Sequence, residues 1–438
     1  MVRALEIDRV GHGGVCTARW PDGRVVFVRH TLPGERVGVR VTEERGRYLR
    51  ADAVEVLRPV PQRVPPPCPH AGPGRCGGCD WQHVDLAAQR GLKAAVIRDQ
   101  FAHLAGLALE PEVLAMPEAP GGLGWRTRVR FAVGEDGSVG FHRHRSAQIE
   151  PVTRCRIAHP LVEDLGVTRR HWPRTTAVEV AVGVASGDRV VIVHPRGGVA
   201  PGDVPPLDAP AAVLVVDQAD RPTSRHRGRA VVRERAAGRD WEVSGGAFWQ
   251  VHPGAADVLV RTVVAMLRPR PGECALDLYC GVGLFAAALA AAVGPAGLVL
   301  AIDGDRTAAA DAQVNLRDLT MVSVRTARVD GRLLGRLPAA PDVVVLDPPR
   351  TGAGREVVAA LARLRPRAIC YVSCEPSALA RDTATLATFG YPLERLHAFD
   401  VFPMTAHVEC VGLFARGSDV PDVRGAPSPR GGTKYSAD

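Results

Sequence analysis

The chain has 438 residues, more than one compact core holds, so two or three domains are expected. Hydrophobic residues make up 46% and charged residues 23%, an ordinary balance for a globular protein, and every apolar run is broken before it reaches the length of a membrane span. The first ten residues, MVRALEIDRV, hold no stretch of the signal-peptide kind, so a cytoplasmic protein with no membrane partner is expected.

The formal net charge of +8 favours a polyanionic partner, because each phosphate contact releases counterions. Lysine occurs only at Lys93 and Lys434, so arginine carries the surplus. Codon bias accounts for that choice as well as nucleic acid does, but not for the positive sum.

In chain order, residues 1–59 alternate apolar and polar positions between Gly and Pro turns, which predicts about five short strands closed into a small β-barrel. Such barrels bind single-stranded nucleic acid or simply pack against their neighbours, and the evenly spread arginines fit both. The proline-rich VPQRVPPPCPH opens a central domain, 60–245. It carries Cys68, Cys76 and Cys79, with Cys155 farther on in RCRIAHP. By number, four thiolates suit zinc and an iron–sulfur cluster equally, and the spacing alone favours zinc. Residues 84–107 have helical periodicity, and this helix is free to pack on the catalytic domain. From 125 to about 243 the pattern returns to strands, with a hairpin at EDGS.

Residues 246–416 alternate strands and helices, which predicts an α/β, Rossmann-like domain that binds ligands at the carboxyl ends of a parallel sheet. The remainder, 417–438, is too polar to fold and is expected to be disordered.

DLYCGVGLF follows a strand and opens a helix. Gly281 and Gly283 there let the backbone approach a ligand beside a helix N-terminus. The loop alone fits a dinucleotide, as G-x-G-x-x-A with Ala286, as well as it fits S-adenosylmethionine. Asp303 and Asp330 end the next two predicted strands. An acidic side chain so placed accepts from ribose or base, while an isolated one is more commonly a helix N-cap.

Three further strand ends carry chemistry. DVVVLDPPR presents Asp347, with Arg350 where amino-group methyltransferases carry an aromatic residue after the two prolines. AICYVSCEP puts Cys374 at a strand end, with Cys370 inside the strand as core. FPMTAHVE puts His407 and Glu409 before another apolar strand. Together these suit methylation of uracil at carbon 5: a thiolate adds to carbon 6, and a base later removes the carbon 5 proton. The target base must leave its stack to reach the thiol.

VGHGGVCTAR, VVFVRHTLPGE, the cysteine cluster, FWQVHP, DLYCGVGLF, DPPR, YVSCEP and FPMTAHVE occur in one order, and this set resembles the TrmA/RlmD-type RNA uridine-5-methyltransferases with an N-terminal TRAM barrel. The resemblance covers almost the whole chain. It implies S-adenosylmethionine held by Gln250, Tyr279, Asp303, Asp330 and Asp347, with Cys374 as nucleophile and Glu409 as base. It also implies a four-iron four-sulfur cluster on Cys68, Cys76, Cys79 and Cys155, against zinc from spacing. His252 and Glu375 stand where the family usually has Asn, and Leu284 where a polar residue is common. The expected partner is RNA, ribosomal ahead of transfer RNA, and a monomer is expected. The alternatives are methylation of another base or of a protein, and a non-catalytic RNA-binding protein.

Overall fold

The computed structural model describes residues 2–117, 119–197, 203–217 and 222–416; the tail expected to be disordered, 417–438, lies outside them. The N-terminal strands lie in the order Val2–Glu6, Arg36–Arg45, Tyr48–Arg58, Val25–Arg29, Cys16–Arg19. Alternate residues, among them Cys16, Ala18, Val26, Val28, Val37 and Val39, fill the interior. The ring closes where Asp8 N donates to Thr17 O at 2.8 Å and Thr17 N donates to Arg9 O at 2.8 Å.

The middle of the chain forms a seven-stranded sheet in the order Pro222–Arg227, Ala212–Val216, Arg189–Pro195, Thr175–Val182, Arg128–Val133, Val139–His142, Ile149–Pro151. The hairpin expected at EDGS is present, with Val133 opposite Val139. A separate hairpin, Val231–Ala236 with Arg239–Ser244, ties this part to the helix Arg306–Asn315. Ser244 N and Oγ donate to Asp311 at 2.8 and 2.9 Å, and Glu242 N donates to Asn315 Oδ1 at 2.9 Å.

The third sheet runs Val322–Thr326, Leu298–Asp303, Cys274–Leu278, Val343–Leu346, Ala368–Ser373, Glu409–Ala415, Leu393–Asp400, Val113–Ala115. The first five strands are parallel, and Glu409–Ala415 is antiparallel to both of its neighbours. Its central strands are covered on both faces, which is why they read as unbroken apolar runs. Val343 and Val345 face the helices Ala255–Leu267 and Leu284–Val293. Val344 and Leu346 face Gly354–Arg363, Pro376–Thr388 and the helix Leu86–Ala105. The helix Pro376–Thr388 and the strand Leu393–Asp400 escaped the sequence reading; alanine and threonine dilute the periodicity of the first, and the second is buried only at its last three residues.

The helix Leu86–Ala105 starts at Asp85, whose carboxylate accepts from Ala87 N and Ala88 N, and ends at Gly106 in the left-handed region. It packs on Pro376–Thr388, and the strand Val113–Ala115 joins the edge of the third sheet. Both lie within the stretch 60–245; the helix packs on the catalytic body, as the sequence reading allowed, and the strand, which that reading did not identify, joins it. Ile97, Phe101 and Val113 pack into its core, and a buried charge adds a specific bond from the helix. Lys93 is fully buried, and its Nζ donates to Asp400 Oδ1 at 2.5 Å and to Phe402 O at 3.0 Å. Burial pushes the lysine pKa down, and Asp400 opposes that. Lys93→Met leaves Asp400 buried without its partner, so a loss of about 3 kcal/mol is expected, read as a lowered midpoint of thermal unfolding.

Candidate active site

The glycine loop begins with a strained residue. Tyr279, directly after the strand Cys274–Leu278, has φ 61, a conformation that bulky side chains rarely adopt. Gly281 and Gly283 follow at φ 54 and 97, and the helix Leu284–Val293 starts at once. A Cβ on Gly281 would meet nothing within 4 Å, so open space lies against the backbone there. A Cβ on Gly283 would stand 2.7 Å from the Leu316 side chain, so this glycine serves packing. Asp303 braces the loop: its carboxylate accepts from Gly281 N at 2.8 Å and from Asp305 N at 2.7 Å. Asp277 is fully buried beneath the loop, where burial holds its pKa well above the usual carboxylate range.

Asp330 differs from the expectation. The strand stops at Thr326, and Asp330 caps the short helix Gly331–Leu334 by accepting from Leu333 N at 2.8 Å. The capping alternative is thus realised here, because the chain needs a donor-satisfying residue where the helix begins. Gln250 is buried, whereas Phe248, two residues earlier, is 63% exposed. Its segment is pinned by Thr127, whose N and Oγ1 both donate to Val251 O. His252 is buried, accepts from Gly254 N at 3.2 Å and stacks on Trp125; burial lowers its pKa to about 4, so the ring is neutral.

Cys374 and Glu409 meet through strand register. Ser373 pairs with Cys410, so the residue after one and the residue before the other share the same edge of the sheet. Asp347 ends the next strand over and Arg350 follows it. Cys374 is half-buried; its thiol is pushed up to about 12 by burial and then by Glu409, with Arg350 opposing. Glu409 is buried and held well above the usual range by burial and then by Asp347, again with Arg350 opposing. Burial raises Asp347 to about 7. Burial therefore pushes both the thiol and the carboxyl toward their protonated forms. Cys370 is fully buried and packs in the core, as its position inside the strand implied. His407 is lowered to about 4 by burial, then by Arg350 and Lys93.

No motif announced one contact. His12, on the barrel loop, places Nε2 2.7 Å from Glu375 Oε1, directly after Cys374. The histidine and the glutamate are 363 residues apart, so no local spacing reveals them.

The four cysteines gather where the central sheet meets the catalytic body. Cys79 packs with Cys155 near Trp125 and Ile157. Burial raises the Cys79 thiol, and Cys155, Cys76 and Cys68 add to it. Burial lifts Cys155 to about 11, against the amides of Ala158 and Ile157. Gly78 N donates to Cys76 Sγ at 3.4 Å. Among the described residues no three His, Cys, Asp or Glu side chains are drawn together tightly enough to hold one metal ion.

Three family descriptions match the chain: a TRAM domain over residues 2–54, tRNA (Uracil-5-)-methyltransferase over 338–417, and protein-L-isoaspartate(D-aspartate) O-methyltransferase over 254–356. A Streptomyces avermitilis protein named as an RNA methyltransferase is 50% identical, with 93% of this chain and 97% of that one covered. The 23S rRNA (uracil(1939)-C(5))-methyltransferase RlmD of Chromohalobacter salexigens is 36% identical, with 94% and 89% covered. Among solved structures, Pyrococcus abyssi tRNA (uracil-54, C5)-methyltransferase in complex with S-adenosyl-L-homocysteine superposes with a TM-score of 0.71 at 23% identity, covering 94% of this chain and 100% of that one. No helix among the described residues is long and apolar enough to cross a membrane.

The two loop glycines separate by substitution. Gly283→Ala incurs both the φ penalty and the Leu316 clash, so a loss of about 1–3 kcal/mol is expected. Gly281→Ala incurs the φ penalty alone. Thermal unfolding of both variants checks the order.

Proposed function

This chain belongs to the RNA (uracil-5-)-methyltransferase family, S-adenosylmethionine-dependent enzymes that act on RNA, and on that premise we propose that it methylates carbon 5 of a uridine in ribosomal RNA through a covalent adduct on Cys374. S-adenosylmethionine supplies the methyl group and a positive sulfonium. The residues present fit it: open space beside Gly281, a helix N-terminus behind it, and the carboxylate of Asp303 at the strand end. Gln250, Tyr279, Gly283, Asp330 and Asp347 complete the proposed set, with Asp330 free to use only what its capping bond leaves.

The observation that carries the chemistry is the register that sets Cys374 against Glu409. The Cys374 thiolate adds to carbon 6 of uracil, and the carbon 5–carbon 6 π electrons move toward carbon 5 and the carbonyl oxygen. Carbon 5 then bonds the methyl carbon as the methyl–sulfur bond breaks. Glu409 takes the carbon 5 proton, the double bond re-forms and Cys374 leaves as thiolate. Burial favours the protonated form of both groups, and the route needs each of them ionised in turn. Arg350, the cation that opposes both upward shifts, favours that ionisation.

Ribosomal RNA is preferred because two relatives, 36% and 34% identical, are named as 23S rRNA enzymes. We also propose that Cys68, Cys76, Cys79 and Cys155 hold a four-iron four-sulfur cluster. What supports this is the donor set, four thiols of which Cys155, Cys76 and Cys68 all act on Cys79, although among the described residues no three are drawn together as ligands. The proposed reaction moves no electrons to or from it, so its role is structural.

Glu409→Gln is expected to accumulate a protein–RNA species on a denaturing gel, because release waits on proton removal. Cys374→Ala is expected to make neither adduct nor 5-methyluridine; methylation by that variant would overturn the covalent route. Mapping 5-methyluridine in ribosomal and transfer RNA of a deletion strain distinguishes the substrates. Protein purified without oxygen is expected to be brown, with about four irons per chain, and Cys79→Ser to lose the colour; zinc alone in metal analysis would reverse this assignment.

A further inference from the structure

We propose that His12, carried by the N-terminal barrel, is a positioning residue for the nucleophile: through Glu375 it fixes the turn that bears Cys374 and offsets the negative charge beside its sulfur. This rests on the reading of Cys374 as the nucleophile.

The turn is built from a few bonds. Glu375 caps the helix Pro376–Thr388; its Oε1 accepts from Ser377 N at 3.2 Å and from Ser377 Oγ at 2.9 Å. Ser373 Oγ accepts from Glu375 N and donates to Glu375 O, both at 3.2 Å, so Cys374 is bracketed by its two neighbours. The same Oε1 meets His12 Nε2 at 2.7 Å. Glu375 is thus shared between the helix cap and the barrel.

The barrel loop that delivers His12 is itself clamped. Trp81 Nε1 donates to Gly14 O at 3.2 Å, and a Cβ on Gly14 would stand 2.8 Å from Ala406 Cβ and 3.0 Å from Asp80 Cβ. Ala406 N donates to Asp80 Oδ2 at 3.1 Å. Only a glycine fits there, and the loop it belongs to lies against the segment that leads into Glu409. The barrel therefore touches both arms of the site: Glu375 beside the thiol, and the approach to the base.

The charges give the contact a direction. Cys374 faces Glu409, Arg350, Asp347 and Glu375. Glu375 faces His12 from the barrel and His407 from the loop before Glu409. His12 faces Glu375 and, from the helix, Arg381. The Glu375 hydrogen bond raises the His12 pKa, against burial and Arg381. Burial works against the Glu375 charge, yet His12 and Ser377 hold its pKa down at about 2. The ion pair is complete below the free imidazole value of about 6.5 and fades as pH rises through the raised His12 value. Once His12 is neutral, the Glu375 carboxylate loses its counter-charge and, with Arg350 alone opposing, further disfavours the thiolate.

The test reads the thiol without RNA. Iodoacetamide labelling of Cys374 is followed by mass spectrometry of its peptide at pH 7, in the full chain. His12→Ala is expected to slow labelling about three- to tenfold, and His12→Ala with Glu375→Gln to return it to within about twofold of Glu375→Gln alone. His12→Lys, which keeps a fixed positive charge and guards against a folding defect in the alanine variant, is expected to label at the wild-type rate without the fall-off above the His12 pKa. In turnover, His12→Ala lowers kcat and leaves KM for S-adenosylmethionine unchanged. Wild-type labelling in His12→Ala, or a double variant as slow as His12→Ala, would overturn the proposal. Failure of the covalent reading shows differently, as methylation by Cys374→Ala.

Discussion

The site depends on one pairing. The strand Glu409–Ala415 inserts antiparallel between Ala368–Ser373 and Leu393–Asp400, in a sheet whose earlier strands all run parallel. In a parallel neighbour, the residue entering the strand would lie at the opposite edge from the residue leaving it. Antiparallel pairing brings the exit at Cys374 and the entry at Glu409 to the same edge. Side chains alternate faces, so a slip of one residue would turn Glu409 away from the thiol. Both strands are buried along their whole lengths.

The entry to Glu409 is held from outside the sheet. Lys93 reaches from the helix Leu86–Ala105 to Asp400 and Phe402 O, and Gln89 Oε1 accepts from Met404 N at 2.8 Å. Asp80 accepts from Ala406 N. A helix and a loop from the first quarter of the chain thus fix the segment that delivers the proposed base. Swapping the charged pair for apolar groups of like volume would avoid desolvating two charges, but it would give up the Lys93 bond to Phe402 O.

Electrostatically the resting site is quiet. Burial acts on Cys374, Asp347, Glu409 and Asp277 in the same sense, toward the protonated form. Arg350 opposes this at Cys374 and Glu409, and it is exposed. Strain is placed at the other wall: Tyr279 sits in the left-handed region where the loop turns toward the open space at Gly281. A thiol and carboxyls that burial pushes toward their protonated forms lie on one side, and a braced backbone cradle on the other.

The sequence by itself placed the strand ends that bear the candidate groups, because a glycine turn, a Pro-Pro exit and a Cys after an apolar run are local consequences of backbone geometry and alternate burial, while the ordered set of motifs pointed to the family. The barrel, the EDGS hairpin and the parallel order of the first catalytic strands followed from the same periodicities. Asp330 shows the limit: the same residue type caps helices and faces ligands, and only the strand's early end at Thr326 decided which bond it makes here. Tertiary structure alone decided that Leu86–Ala105 and Val113–Ala115 belong to the catalytic body, that Cys79 lies beside Cys155, and that His12 meets Glu375. These contacts join residues tens to hundreds of positions apart. Their partners are chosen by packing and charge across domain boundaries, which leave no period in the chain.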